Sequence, residues 1–330
     1  MSTFHPIPRG HTEMNDDALN AEREASALMI GRDALLEVWL GLGKSLDPID
    51  RLLVATVLQA NVDPATITLE DQIKYGDLNR PMPDEIRRPV SISRLADSMD
   101  LRFETVRRRV NRLKTLGLFV TTPSGILSPE SNSNTHKNAV AVMAIDGLAE
   151  RTYRRLVSQH YFNNNPLPSP AHRPEQHPYR AVARLFMSYA LRMLGESRPF
   201  FGDFTNQLLI MRLNQMNTTN LGDVREWDEI DDNMLPAISD QRRIPVSIAA
   251  LARETGVAVE TTRRRLADLA EQGICRRVDG GYITVARGIM GLRSSLVSSN
   301  RMNLTRLYRN CALVGAIDGW DSRIEIRAAS

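Results

Sequence analysis

Cysteine is nearly absent from this chain of 330 residues: Cys275 and Cys311 are the only two. Both fall in one half and lack metal-ligand spacing, so neither a disulfide framework nor a Cys-based zinc site is expected. That scarcity fits a reducing compartment, the cytoplasm. Long apolar runs are missing too. Nothing approaches the roughly 18–20 apolar residues that a membrane-spanning helix needs. The opening MSTFHPIPRGHTEMNDD has no basic stretch followed by an apolar one, so it does not read as a signal peptide. Aromatic residues make up 5% of the chain, and Trp39, Trp227 and Trp320 are too dispersed to form a stacking platform for single strands. Gly-rich phosphate loops, nucleophile elbows and HExxH are all lacking, so an enzyme is not expected and no cofactor is implied. His160, His172 and His177 lie in or beside a Pro-rich segment at spacings that match no ligand set, and are expected to be loop residues without a role.

What the chain does have is a repeat. The stretch VSISRLADSMDLRFETVRRRVNRLKTLG, residues 90–117, returns 156 residues later as VSIAALARETGVAVETTRRRLADLAEQG, residues 246–273. Including the preceding Pro89 and Pro245, the two share Pro, Val, Ser, Ile, Leu, Ala, Glu, Thr, three consecutive Arg, Leu and Gly at matching places without a gap. A repeat of this length points to duplication. In the first copy, Ser91 or Ser93 is a helix cap, and Ile92, Leu95 and Ala96 mark a short first helix. A polar break at 98–101 follows. A second helix is predicted from Phe103 to Leu116, stopped by Gly117. Val106, Val110 and Leu113 fall on one stripe of it, the buried side. Two short helices joined by a tight turn make a helix-turn-helix unit.

The charges lie away from that stripe. Arg108 points almost directly outward, Glu104 and Asn111 lie close to it, and Arg107 and Arg112 flank it. Arg109 sits nearer the core edge, where its stem can lie over apolar surface while its head reaches out. Arg, Asn and Glu are the side chains that read guanine, adenine and cytosine edges in the major groove. The second copy keeps Glu260, Arg263, Arg264 and Arg265, but has Ala267 and Asp268 in place of Asn111 and Arg112. Net charge is only +3, yet between Arg87 and Lys114 eight Arg and one Lys face three carboxylates. Between Asp223 and Asp240 seven carboxylates face one Arg, the composition of a solvated loop. Positive charge gathered on the expected reading helices is the footprint of a DNA-binding surface.

Each copy is followed by a hairpin signal. Residues 118–122 run out, Pro123-Ser124-Gly125 turns, and Ile126-Leu127 returns. In the second copy residues 274–278 run out, Asp279-Gly280 turns, and residues 282–285 return. With the hairpin as a wing, the pattern "LA...g...ETvRRr...L...G" resembles the winged helix-turn-helix of bacterial transcription regulators, of the kind shared by MarR-like, GntR-like, Crp-like and IclR-like proteins. The resemblance covers about 40 residues per copy. The order helix, helix, winged helix, long helix in each half is similar to a MarR-like subunit. It implies that the two halves pair as a pseudo-dimer and hold two reading helices about one DNA turn apart, ~34–36 Å.

The expected architecture is therefore mainly α with small β-wings, a pseudo-two-fold internal repeat of two tandem winged helix-turn-helix domains with flanking long helices. Residues 1–16 read as disordered. The first repeat spans 17–162, with long helices over 17–42, 49–60 and 136–162, a polar connection at 61–88 and a wing at 118–128. A Pro/Asn-rich linker at 163–178 acts as a spacer. The second repeat spans 179–330, with helices over 179–194, 204–217 and 288–314, a wing at 274–285 and an irregular tail after Asp318. Leu208-Leu209-Ile210 follow Leu52-Leu53-Val54 by the same 156 residues. Met187, Met193, Met211 and Met216 are expected as core, with a small-molecule effector pocket between their helices as the alternative.

In function, the chain reads as a cytoplasmic, nucleoid-associated transcription regulator that binds double-stranded DNA. Glu104, Arg107, Arg108, Asn111, Glu260, Arg263 and Arg264 are expected to face bases. Arg109, Arg112, Lys114, Arg265, Arg276 and Arg277 are expected at phosphates. A plasmid-type replication initiator is the alternative, because such proteins also carry two winged helices. A winged-helix interaction scaffold without DNA is a further one. Homo-oligomerisation stays open.

Overall fold

The computed structural model describes residues 16–41, 45–171, 174–220 and 238–329, by backbone alone at 16–18, 287–294 and 324–329. Two long helices open the chain: α1 over Asp16–Gly41 and α2 over Pro48–Val62. The Asp47 side chain accepts from the Asp50 N–H and Pro48 sits at the first helical position, so α2 is capped and its entry fixed. The polar connection expected at 61–88 contains a short helix, α3 (Leu69–Lys74), capped by Thr68. Its run of only six residues carries too little periodicity to be seen beforehand.

Helices α4 (Ile92–Met99) and α5 (Phe103–Thr115) follow, then strands β1 (Val120–Thr122) and β2 (Gly125–Leu127). Ser91 caps α4 through the Arg94 N–H. Val106, Val110 and Leu113 are the buried residues of α5, as its periodicity requires. The wing turn is tighter than expected: Thr122 pairs with Gly125, so Pro123 and Ser124 alone make the turn. A short helix α6 (Glu130–Ser133) leads into α7 (His136–Ser158).

After the Pro-rich segment come α8 (Tyr179–Phe201) and α9 (Phe204–Asn217), the latter capped by Asp203. Then α10 (Ile248–Thr255) and α11 (Val259–Glu271) precede strands β3 (Cys275–Val278) and β4 (Gly281–Thr284). The chain closes with α12 (Ala286–Leu313) and α13 (Ala316–Ala329). The tail expected to be irregular is thus helical, and Trp320, fully buried, anchors it. The expected disordered N-terminus, Trp227 and most of the acidic stretch lie outside the described residues.

The long helices pack in a crossed arrangement. α1 touches α7 and α2, and also α12 and α9; α8 touches α12 and α9, and also α7 and α2. The Pro-rich segment is tied to this body. The Ala171 N–H donates to the Leu313 carbonyl at 3.1 Å. His177, expected to have no role, is mostly buried, and its Nε2 lies 2.6 Å from Asp146. Asp146 also accepts from Trp320 Nε1 at 3.1 Å and from Arg323 at 3.1 Å.

Buried polar bonds recur at the 156-residue spacing. Asn61 donates to the carbonyls of Arg88 and Ile126 and accepts from the Ser128 N–H, at 2.8, 3.2 and 2.8 Å. Asn217 does the same for Ile244, Tyr282 and Thr284, at 2.7, 3.1 and 2.9 Å. Each Asn fastens a body helix to the entry strand and the wing beside it. Val90 bridges Ile126 and Val246 bridges Tyr282, which adds a third short segment to each hairpin.

Candidate nucleic-acid interface

α5 stands on the body through its apolar stripe and presents the opposite side to solvent. Glu104, Arg107, Arg108 and Asn111 are all exposed. With Thr105 they line one shallow hollow on the helix surface. Arg107 and Glu104 pair at 2.8 Å, one helical turn apart, and this contact raises the Arg107 pKa. On α11, Glu260, Arg263 and Arg264 are exposed likewise. Arg263 pairs with Glu260 at 2.5 Å, which raises the arginine and lowers the carboxylate. Exposed pairs of this kind are weak and exchange readily for a stronger partner. None of these groups is covered by another part of the described chain.

Three of the arginines expected at phosphates form ion pairs within the chain; Arg109 and Arg265 are part-buried and Arg112 is exposed. Arg109 reaches Asp47 at 2.7 Å and Asp50 at 2.6 Å. Arg112 meets Asp47 at 3.1 Å and also contacts Asp50, whose carboxylate is fully buried. Arg265 reaches Asp203 at 2.6 Å. These side chains clamp α5 to α2 and α11 to α9, because a carboxylate at the N-terminus of the helix beneath lies within their reach and a buried Asp50 requires a counter-charge. The clamps were missed from sequence, although Asp47 and Asp203 lie 156 residues apart, as do Arg109 and Arg265. Arg276 is half exposed and pairs with Asp240 at 3.4 Å. Arg277 is exposed and Lys114 half-buried. Arg94 and Arg102, which sequence reasoning did not single out, are exposed on the first module.

The turn between the paired helices is built differently in the two modules. Asp100 takes the left-handed conformation at φ 54° after α4, and Gly256 takes it at φ 72° after α10. The wings keep one register: Thr122 faces Gly125, and Val278 faces Gly281.

Two helices at a tight turn, an outward charged face on the second and a hairpin behind it define a helix-turn-helix of the DNA-binding kind. Residues 231–287 match the DeoR-like helix-turn-helix domain, and this match takes in α10, α11, β3 and β4. The chain thus carries a DNA-binding domain of the type found in transcription regulators. No curated protein and no solved structure matches the chain. Among the described residues, no helix is long and apolar enough to cross a membrane, and no group of His, Cys, Asp and Glu is placed to hold a metal ion.

Proposed function

We propose that the protein is a sequence-specific transcription regulator that binds double-stranded DNA through two winged-helix reading heads in each chain. The observation that carries this reading is the outward Glu–Arg–Arg face of α11, inside the DeoR-like domain, and its counterpart on α5 at the same spacing. Glu104, Arg107, Arg108 and Asn111 face bases from one head, and Glu260, Arg263 and Arg264 from the other. Lys114, Arg276 and Arg277 meet phosphates. Arg109, Arg112 and Arg265 hold the heads at their angle. The crossed packing of α1 and α8 supports a pseudo-dimer folded from one chain.

The heads differ at Asn111/Ala267 and Arg112/Asp268, so the two half-sites differ as well. Selection of duplexes from a random pool with the full-length protein is expected to return one site with two unlike halves per chain. Arg108→Ala should weaken binding by about 1–3 kcal/mol and relax one position in one half. Arg264→Ala should do so in the other half. Absence of a salt-dependent shift on any duplex overturns DNA binding. A perfect inverted repeat with one chain per half-site overturns the two-headed chain.

A further inference from the structure

A cavity of about 290 Å³ opens between α1, α2, α7 and α8. Val38, Trp39, Leu46, Val54, Leu58 and Met187 give it an apolar wall. Arg51, Arg87, Arg180 and Arg184 also line it, and no acidic residue does among those described. We infer that this cavity binds a small amphipathic organic anion, with an apolar body against the aliphatic wall and one carboxylate among the arginines.

Charge is the first support. A buried cation is normally paired with a carboxylate, because desolvation is costly. Arg184 is 8% exposed, yet it donates only to the carbonyls of Tyr75 at 2.7 Å and Gln72 at 3.2 Å. Arg180 donates to the carbonyls of Leu78 and Ser133, both at 2.8 Å, and to Asn138 at 3.1 Å. All of these acceptors are neutral. Arg87 pairs with a carboxylate, Asp84 at 3.4 Å; Arg51 and Arg180 feel Asp47 and Asp77 without an ion pair, and Arg184 has neither. Burial and the neighbouring Arg180 pull Arg184 down to about 10, a guanidinium short of negative charge. The second support is unspent donors. Trp39 Nε1, Arg51 Nε and Arg184 Nε are buried and lack a hydrogen-bond partner.

A control is built into the fold. A second cavity, about 150 Å³, lies between α1, α8, α9 and α12. Its Ile210, Ile238 and Arg243 follow Val54, Met82 and Arg87 of the first by 156 residues. There the exchanged helix contributes Leu28 at the position that Arg184 holds in the first. The arginines of the second cavity also have carboxylates: Arg32 has Asp33 at 2.8 Å, and Arg243 has Asp240 at 3.7 Å. Arg243 Nε and Asn300 Nδ2 are without a partner there as well, so what sets the first cavity apart is the shortage of negative charge around Arg184 and not the unspent donors.

The test is calorimetric titration of the full chain with sodium decanoate, decanol and inorganic phosphate, with a thermal melt of each mixture. Decanoate should bind once per chain and raise Tm, decanol should bind at least about tenfold more weakly, and phosphate should not bind. Arg184→Leu, the side chain of the counterpart position, should bring decanoate down to the level of decanol. Ala55→Trp, which fills the cavity and leaves every arginine, should abolish both. The inference is overturned if decanoate fails to bind, if decanol equals it, or if Ala55→Trp binds decanoate as the wild type does. The Ala55 variant decides the matter if Arg184→Leu does not fold. None of these readings involves DNA, so they stand or fall apart from the two-headed regulator.

Discussion

At the scale of single residues, α5 and α11 differ most in how they are clamped to the helix beneath. Asp50 is fully buried and is paired by Arg109 and Arg112. Its counterpart is Asn206, and the counterpart of Arg112 is Asp268, so Arg265 has only the part-exposed Asp203. Arg109→Ala strips a buried carboxylate of one of its two partners and should lower stability by at least about 2 kcal/mol. Arg265→Ala leaves a carboxylate that water can reach and should cost within about 1 kcal/mol. Urea unfolding of both variants checks the order, and equal losses would remove the distinction. The cysteines make a second prediction. Burial pushes the Cys275 thiol up to about 12 and the Cys311 thiol further still. Both should be inert to a thiol reagent at pH 8 in the native protein and both should react in urea, since only the thiolate attacks.

At the scale of elements, the wings depend on glycine at the point where a hairpin meets its entry strand. Gly125 lies at φ 137°, and a Cβ there would come within 2.6 Å of the Val90 carbonyl oxygen. Gly281 is placed alike against Val246. Gly125→Ala should break the Val90–Ile126 bridge and lower stability by about 1–3 kcal/mol from strain alone. Loss of the Val90 amide's exchange protection would show it. Sequence made α5 and α11 legible because Val106, Val110 and Leu113 repeat at helical period beside a run of arginines that cannot be buried together. It also made the wings legible through Asp279-Gly280 and Pro123-Ser124. It left α3 dark because six residues have too little period. It left the partners of Arg109 dark because helical phase gives a direction and says nothing of what stands there. Asp47 belongs to another helix, and only three dimensions bring the two together.

At the scale of the molecule, the two helix pairs α4–α5 and α10–α11 are not rooted equally. Leu95, Val106, Val110 and Leu113 of the first belong to the main core with Trp39, Phe186 and Tyr308. Leu251, Leu266 and Leu269 of the second form a smaller cluster of their own with Leu209, Leu213 and Tyr282. Elements with a smaller share of the core open first. Amides of α11 should therefore exchange faster than those of α5 in native-state hydrogen exchange, and the reverse order would contradict this account. The 156-residue spacing was readable from sequence, down to Leu208-Leu209-Ile210. The crossing of α1 and α8 was not, because a duplicated pattern is equally compatible with halves that keep to themselves. Nor was the arginine cavity, whose walls come from helices that sequence cannot place side by side.

That crossing bears on how the chain comes off the ribosome. α1 is made first, yet some of the surface it finally packs on belongs to α12, about 250 residues further along. At roughly 5–20 residues per second, that partner emerges about 10–50 s later. Until then Leu28, Leu35 and their neighbours on the first helix have only α2 and α7 for cover, joined by α9 once it is made. Translation speed and chaperone occupancy therefore become determinants of yield, and a slow stretch of codons before α12 should raise the aggregated fraction.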